Sequence, residues 1–227
     1  MESSILASQK LHNDNSDYGK ASRYLKQNSF KNLLRIPKAV NSASRITPVE
    51  SLLDYGTGQG GLLESLAVEN TSLSTADGYD PAVERFSEKP SRSYDVVTCI
   101  DVLEHLDKDS IGAALKQIKQ FTKKFFFYCI DLVPSSKSLS DGRNAHTLLA
   151  PPDWWCQKIK NEFLIATFIE VGHLPDGSSY PQHLFGCATN SMNYFSAMNA
   201  FIESVKIANV KHTWGAHKQL LVSNYKD

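Results

Sequence analysis

Apolar residues gather into short runs along the chain, and several of these runs stop at an acid. Ser51-Leu52-Leu53 leads into Asp54, Ala76–Tyr79 into Asp80, Tyr94–Ile100 into Asp101, and Phe125–Ile130 into Asp131. The last two runs are mostly β-branched or aromatic at successive rather than alternate positions, which predicts strands buried on both faces. Between them the period lengthens. Leu62, Leu63 and Leu66 predict a helix from about Gly60 to Val68. Ile111, Ala114, Leu115, Ile118 and Phe121 recur at three- and four-residue steps and form one helical face, with Ser110 placed to cap it. Another helix should open at Pro151-Pro152-Asp153-Trp154-Trp155, with proline in its first turn. Phe163–Val171 and His183–Thr189 predict two closing strands joined by a loop with His173, Asp176 and Tyr180. Residues 191–208 carry Met192, Phe195, Met198, Phe201, Ile202 and Val205 on one helical stripe, fit to cover the sheet or to pair with a second copy as a homodimer.

The alternation of strand and helix predicts an α/β fold with a mostly parallel sheet. Residues 1–20 form a polar arm. Residues 21–45 look helical with a break near Ile36-Pro37, studded by Arg23, Lys26, Lys31, Arg35 and Lys38. Residues 81–93 leave room for a short helix and a loop but no strand. The tail 209–227, with His212, Trp214 and His217, is expected to pack or stay disordered. The boundaries are an arm with helices (1–45), a ligand-binding domain (46–190), and a C-terminal helix and tail on the same domain (191–227).

Asp54-Tyr55-Gly56-Thr57-Gly58-Gln59-Gly60-Gly61 reads as strand, tight turn and helix start. Glycine permits the bend and leaves room for a ligand against the backbone. Free N–H groups at the start of the helix face that ligand. Two cofactors use such a turn. Gly56, Gly58 and Gly61 satisfy the dinucleotide pattern, with Asp80 further on. Asp54 favours S-adenosyl-L-methionine (SAM): its carboxylate suits an ammonium and a sulfonium, and would repel a pyrophosphate.

The stretch Asp54–Gly60 resembles motif I (D-x-G-x-G-x-G) of the class I SAM-dependent methyltransferases. Asp101-Val102-Leu103-Glu104-His105 resembles motif IV of their small-molecule branch. The resemblance implies a Rossmann-like sheet, mostly parallel with an antiparallel last strand, here shortened between its second and fourth strands, with helical additions at both ends. It implies SAM as cofactor, held by Asp54, Gly56, Thr57, Gly58, Gly60, Asp80, Pro81, Asp101 and Val102, with Asp80 on the ribose hydroxyls. Glu104 and His105 then fall beside the substrate, and His105 has the ordinary pKa of a general base. Tyr18 could close over the site. Asp141-Gly142-Arg143-Asn144-Ala145-His146 followed by Pro151-Pro152-Asp153-Trp154-Trp155 is similar to small bacterial and bacteriophage methyltransferase-domain proteins.

That second stretch lies in the polar loop 132–150, and a loop this long inside a compact domain is often functional. It offers Arg143 and Asn144 for substrate and His146 for proton transfer, or it is a lid. The expected activity is methyl transfer to an O or N of a small molecule. The alternatives are a SAM-binding partner or SAM-degrading protein, a nucleic-acid methyltransferase, and a nicotinamide oxidoreductase.

Charge narrows the partners. Lys+Arg and Asp+Glu both number 24. Residues 52–110 carry four basic and twelve acidic side chains, which disfavours nucleic acid across that half. Cys99, Cys129, Cys156 and Cys187 are widely spaced without C-x-x-C, so no metal is expected. No apolar leader and no run of about 18 apolar residues occur, predicting a cytoplasmic protein off the membrane.

Overall fold

The computed structural model describes residues 9–10, 35–172, 181–205 and 215–222. Seven strands form one sheet in the order β2-β1-β3-β4-β6-β5-β7. They are β1 (Ser51–Tyr55), β2 (Thr75–Tyr79), β3 (Tyr94–Ile100), β4 (Thr122–Asp131), β5 (Ile165–Gly172), β6 (Pro181–Thr189) and β7 (Gly215–Val222). The first four pair in parallel. β6 runs antiparallel to β4 and to β5, and β7 antiparallel to β5. As expected from residues 81–93, β2 is the edge strand, and only a 3-10 turn at Glu84–Phe86 follows it before β3.

Among the described residues five helices cover the sheet: α1 (Ile36–Ser44), α2 (Gly61–Val68), α3 (Ile111–Phe121), α4 (Pro152–Glu162) and α5 (Phe195–Ser204). Strand residues point alternately to two cores. Leu52, Val96, Phe125 and Phe127 meet α1, α2 and α5 through Val40, Leu66 and Phe201. Leu53, Val97, Phe126 and Tyr128 meet α3 and α4 through Leu115, Ile118 and Trp155. Burial on both faces explains why these strands are apolar at consecutive positions. The stripe of α5 therefore covers the sheet, the first of its two expected uses. All four cysteines are free thiols and buried.

A helix starts at the expected break near Ile36-Pro37: Pro37 sits in the first turn of α1, where a missing N–H costs nothing. Two other local expectations need correction. Ser110 precedes α3 without a side-chain cap. Part of the C-terminal tail is a strand: β7 pairs along all of β5 from Ile165↔Val222 to Gly172↔Gly215. Its sequence, Gly-Ala-His-Lys-Gln-Leu-Leu-Val, carries no alternating pattern, and the exposed edge of β5 supplies the backbone partners instead.

Asp95, at the start of β3, ties the amino-terminal edge of the sheet together. Its Oδ2 accepts from the N–H groups of Glu50 (2.8 Å) and Ser51 (3.3 Å), and its Oδ1 lies 3.1 Å from Lys124 Nζ. Burial pushes its carboxyl pKa up, but these donors outweigh burial and hold it below its ordinary 3.8. A carboxyl whose folded pKa is depressed stabilises the fold above its unfolded pKa and loses that contribution as pH falls through the folded value. Asp95→Ala is therefore expected to cost about 2 kcal/mol at neutral pH. Urea titrations should show the gap from wild type closing below pH 3.8. A gap unchanged in acid would show that the carboxylate charge is not responsible.

Candidate active site at the carboxyl edge of the sheet

The sheet order reverses at β1, whose neighbours β2 and β3 leave in opposite directions. Ligands in open α/β sheets bind outside the carboxyl ends of strands at such a point. Two segments flank it, one after β1 and one after β3.

After β1 the chain turns through Gly56, Gly58 and Gly60, at φ of 77°, 55° and 75°. Gly56 N–H donates to the Tyr79 carbonyl at 2.7 Å, and Gly60 N–H to the Thr57 carbonyl at 3.0 Å. A Cβ on Gly56 would sit 2.3 Å from a Val102 methyl, and one on Gly60 would sit 2.9 Å from the Phe86 ring. Asp80, just beyond β2, is buried and joins the two loops. Its Oδ2 accepts from Gly58 N–H and its Oδ1 from Ala82 N–H, both at 2.9 Å. Each of these oxygens has a second lone pair. Asp54 is buried and accepts from the Thr98 hydroxyl at 2.8 Å. The Arg85 guanidinium donates to the Gln59 carbonyl across the turn.

After β3, Asp101 adopts φ 53°, a left-handed conformation uncommon for a residue with a side chain. This kink turns Val102 onto Gly56 and starts the 3-10 turn Leu103–His105. Glu104 is fully buried. Its Oε1 accepts from Asp131 N–H at 3.0 Å, and its Oε2 has no hydrogen-bond partner among the described residues. Burial, and then the Asp101 charge, push the Glu104 carboxyl well above the usual range. Asp131 is raised by burial despite His183, whose Nε2 lies 3.9 Å from Asp131 Oδ2. His183 is lowered, burial outweighing the carboxylate.

Two imidazoles close this end. His105 Nδ1 lies 2.8 Å from the Ala145 carbonyl oxygen, and His146 Nδ1 lies 2.6 Å from that of Val133. A carbonyl only accepts, so each neutral ring carries its proton on Nδ1 and its lone pair on Nε2. The rings meet edge to face with centroids 4.8 Å apart.

The loop 132–150 is held by its own bonds. A tight turn joins Leu139 N–H to the Arg143 carbonyl at 2.8 Å, and Leu148 N–H donates to the Glu104 carbonyl at 3.0 Å. Asn144, expected on substrate, instead organises the loop. Its Oδ1 accepts from the N–H groups of Ser135 (3.0 Å) and His146 (2.9 Å), and its Nδ2 donates to the Ser135 carbonyl (2.8 Å). A three-bonded amide has little left for a ligand. Arg143 pairs with Asp141 at 2.7 Å through Nε, while its Nη2 has no partner among the described residues.

Most of the expected residues thus share one edge: Asp54, Gly56, Thr57, Gly58, Gly60, Asp80, Pro81, Asp101, Val102, Glu104, His105 and His146. Tyr18 and most of the basic N-terminal stretch lie outside the described residues. Electrostatics tie the two flanks together. The buried Cys99 thiol is pushed well up, first by burial and then by the charges of Glu104, Asp54, Asp101 and Asp80. Sequence reasoning missed Asp131 and His183. Asp131 ends a strand as Asp54 and Asp101 do, which was the available signal; His183 begins an antiparallel strand, and no pattern marks it.

A parallel sheet with a Gly-rich turn at its switch point, ringed by acids, defines a nucleoside-cofactor enzyme of the Rossmann-like class. A family model described as a methyltransferase domain matches residues 21–174. The chain belongs to that family, within the class I SAM-dependent methyltransferases, whose methyl donor is SAM. It is 31% identical to the ubiquinone biosynthesis O-methyltransferase of Salmonella paratyphi A, the match covering 34% of this chain and 41% of that one. The enzyme of the same name from Yersinia enterocolitica is 32% identical over 36% and 43%. The match thus spans about two fifths of the length of these curated relatives. A solved SAM-dependent methyltransferase of Thermotoga maritima shares the fold at TM-score 0.50 and 11% identity, over 82% of this chain and 98% of that one. Among the described residues no helix is long and apolar enough to cross a membrane.

Proposed function

We propose that the protein transfers a methyl group from SAM to an oxygen or nitrogen of a small-molecule acceptor. The observation that carries this reading is the glycine turn after β1, tied by the Asp80 carboxylate to the loop after β2 and lying beside the buried Asp54. Bound SAM supplies an electrophilic methyl on a cationic sulfonium beside a free ammonium. Asp54 and Asp101 would offset that positive charge, and the glycines would admit the cofactor against the backbone. Asp80 keeps one lone pair on each oxygen for the ribose hydroxyls, with Pro81 and Val102 bordering the cofactor. Nε2 of His105 or His146 would take the acceptor's proton. The hydrogen bonds at Nδ1 hold both rings in the tautomer that can accept it. Arg143 is a candidate donor to a polar acceptor through Nη2, which has no hydrogen-bond partner among the described residues. The names of the ubiquinone O-methyltransferases favour oxygen.

Calorimetry with S-adenosylhomocysteine, with NADH as control, tests the cofactor. Micromolar binding of the first alone is expected, and binding of neither would overturn the reading. Transfer of label from methyl-tritiated SAM to a panel of phenols, catechols and amines then tests the acceptor. His146→Ala should leave S-adenosylhomocysteine affinity within about twofold and lower turnover by roughly 100-fold. Unchanged turnover would remove His146 from the chemistry.

A further inference from the structure

We propose that Glu104, His105 and His146 bind a divalent transition-metal ion at the mouth of the crevice. One ligand atom from each of the three lies within 4.8 Å of the other two. Three features beyond this proximity point to a metal. First, both imidazoles have Nδ1 on a backbone carbonyl, at 2.8 Å and 2.6 Å. That hydrogen bond directs the lone pair to Nε2 and fixes the ring, as the outer partners of metal-bound histidines do. Second, Glu104 is wholly buried, and its Oε2 has no hydrogen-bond partner among the described residues. A buried carboxylate oxygen without a donor is costly, and a cation would satisfy it. Third, Oε1 of the same carboxylate is anchored by Asp131 N–H, and the backbone of Glu104 and the carbonyl partner of His105 both belong to the contact between the Leu103–His105 turn and the 144–148 segment. The set is therefore built on two segments tied to each other.

Two imidazoles and one carboxylate suit zinc, iron(II), cobalt(II) or manganese(II). Magnesium, which prefers oxygen ligands, suits them less. Donors about 2.1 Å from a tetrahedral ion stand about 3.4 Å apart, so binding would draw the three atoms inward by roughly 1 Å. Three protein ligands leave a coordination position open to the crevice. There the ion would bind an acceptor hydroxyl and lower its pKa; because it occupies the Nε2 lone pairs, it would replace the two imidazoles as the means of deprotonation, and the oxygen would attack as an alkoxide or phenoxide after releasing its proton to solvent. That use rests on the methyl-transfer reading; the site itself does not.

The test is titration of the chelator-treated full chain with Co2+, followed by its visible d–d absorption, and by calorimetry with Zn2+. One equivalent is expected to bind with a tetrahedral or five-coordinate spectrum. Glu104→Gln, which keeps the volume and the acceptor for Asp131 N–H, and His105→Gln and His146→Gln should each weaken binding about 100-fold. Thermal unfolding without metal and S-adenosylhomocysteine titration report whether each variant stays folded. No saturable Co2+ uptake by the wild type would overturn the proposal. So would uptake with unchanged affinity and spectrum in the folded variants, because the ion would then sit elsewhere. Loss of S-adenosylhomocysteine binding with Co2+ binding intact would instead refute the methyl-transfer reading alone.

Discussion

Gly56→Ala is expected to lower stability by about 2–4 kcal/mol and to weaken S-adenosylhomocysteine binding at least about tenfold. Two penalties add. The new Cβ would lie 2.3 and 2.5 Å from the two Val102 methyls, closer than carbon atoms approach. The residue would also hold φ near 77°, which costs an L-residue about 1–2 kcal/mol. Relief of the clash would require moving Val102, and Val102 leads directly into the turn that carries Glu104 and His105. Damage should therefore reach both flanks of the crevice. The double variant Gly56→Ala/Val102→Ala removes the clash and keeps the strained dihedral. It should recover about half of the lost stability in urea unfolding. If it recovers nothing, the Val102 contact is not what excludes a side chain at position 56.

Asp80→Ala should weaken S-adenosylhomocysteine binding by about 100-fold or more while costing about 2–3 kcal/mol of stability. The carboxylate accepts two backbone N–H groups, from Gly58 in the turn after β1 and from Ala82 just after β2. Its removal leaves the buried Gly58 donor and the part-buried Ala82 donor without an acceptor and frees the Gly-rich turn from β2. It also removes the proposed partner of the ribose hydroxyls. Asp80→Asn separates the two roles. Its amide oxygen retains one N–H bond and its NH2 opposes the other, so affinity should fall between wild type and alanine. Calorimetric affinities that match wild type in both variants would remove Asp80 from the site.

Most of the parallel half of the sheet was legible because burial on both faces forces apolar side chains at successive positions. The Phe125–Tyr128 run belongs to the core for that reason, with Phe125 and Phe127 on one side and Phe126 and Tyr128 on the other. The Gly-rich turn was legible because positive φ selects glycine, and Asp54, Asp80 and Asp101 because each ends an apolar run. Asn144 has a part that its place among candidate substrate residues did not suggest: three hydrogen bonds to Ser135 and His146 make it an organiser of its loop. β7 was missed because an added edge strand is selected by the free backbone of β5 more than by its own side chains.

The sequence alone determined the order of strands and helices up to α5, the two cores, the turn that admits a cofactor, and the acidic strand ends, since each follows from short-range periodicity or a single residue's conformational freedom. Tertiary structure decided the rest. It brought His146 onto His105 with ring centroids 4.8 Å apart, buried Glu104 beside Asp131, and set His183 near that carboxylate. These groups come from four separate segments. Their meeting depends on how β3, β4 and β6 pair and on how one loop folds back over a 3-10 turn. No spacing along the chain encodes that proximity. Only the long-range packing that closes the sheet creates it, together with the shifted protonation that follows from burial.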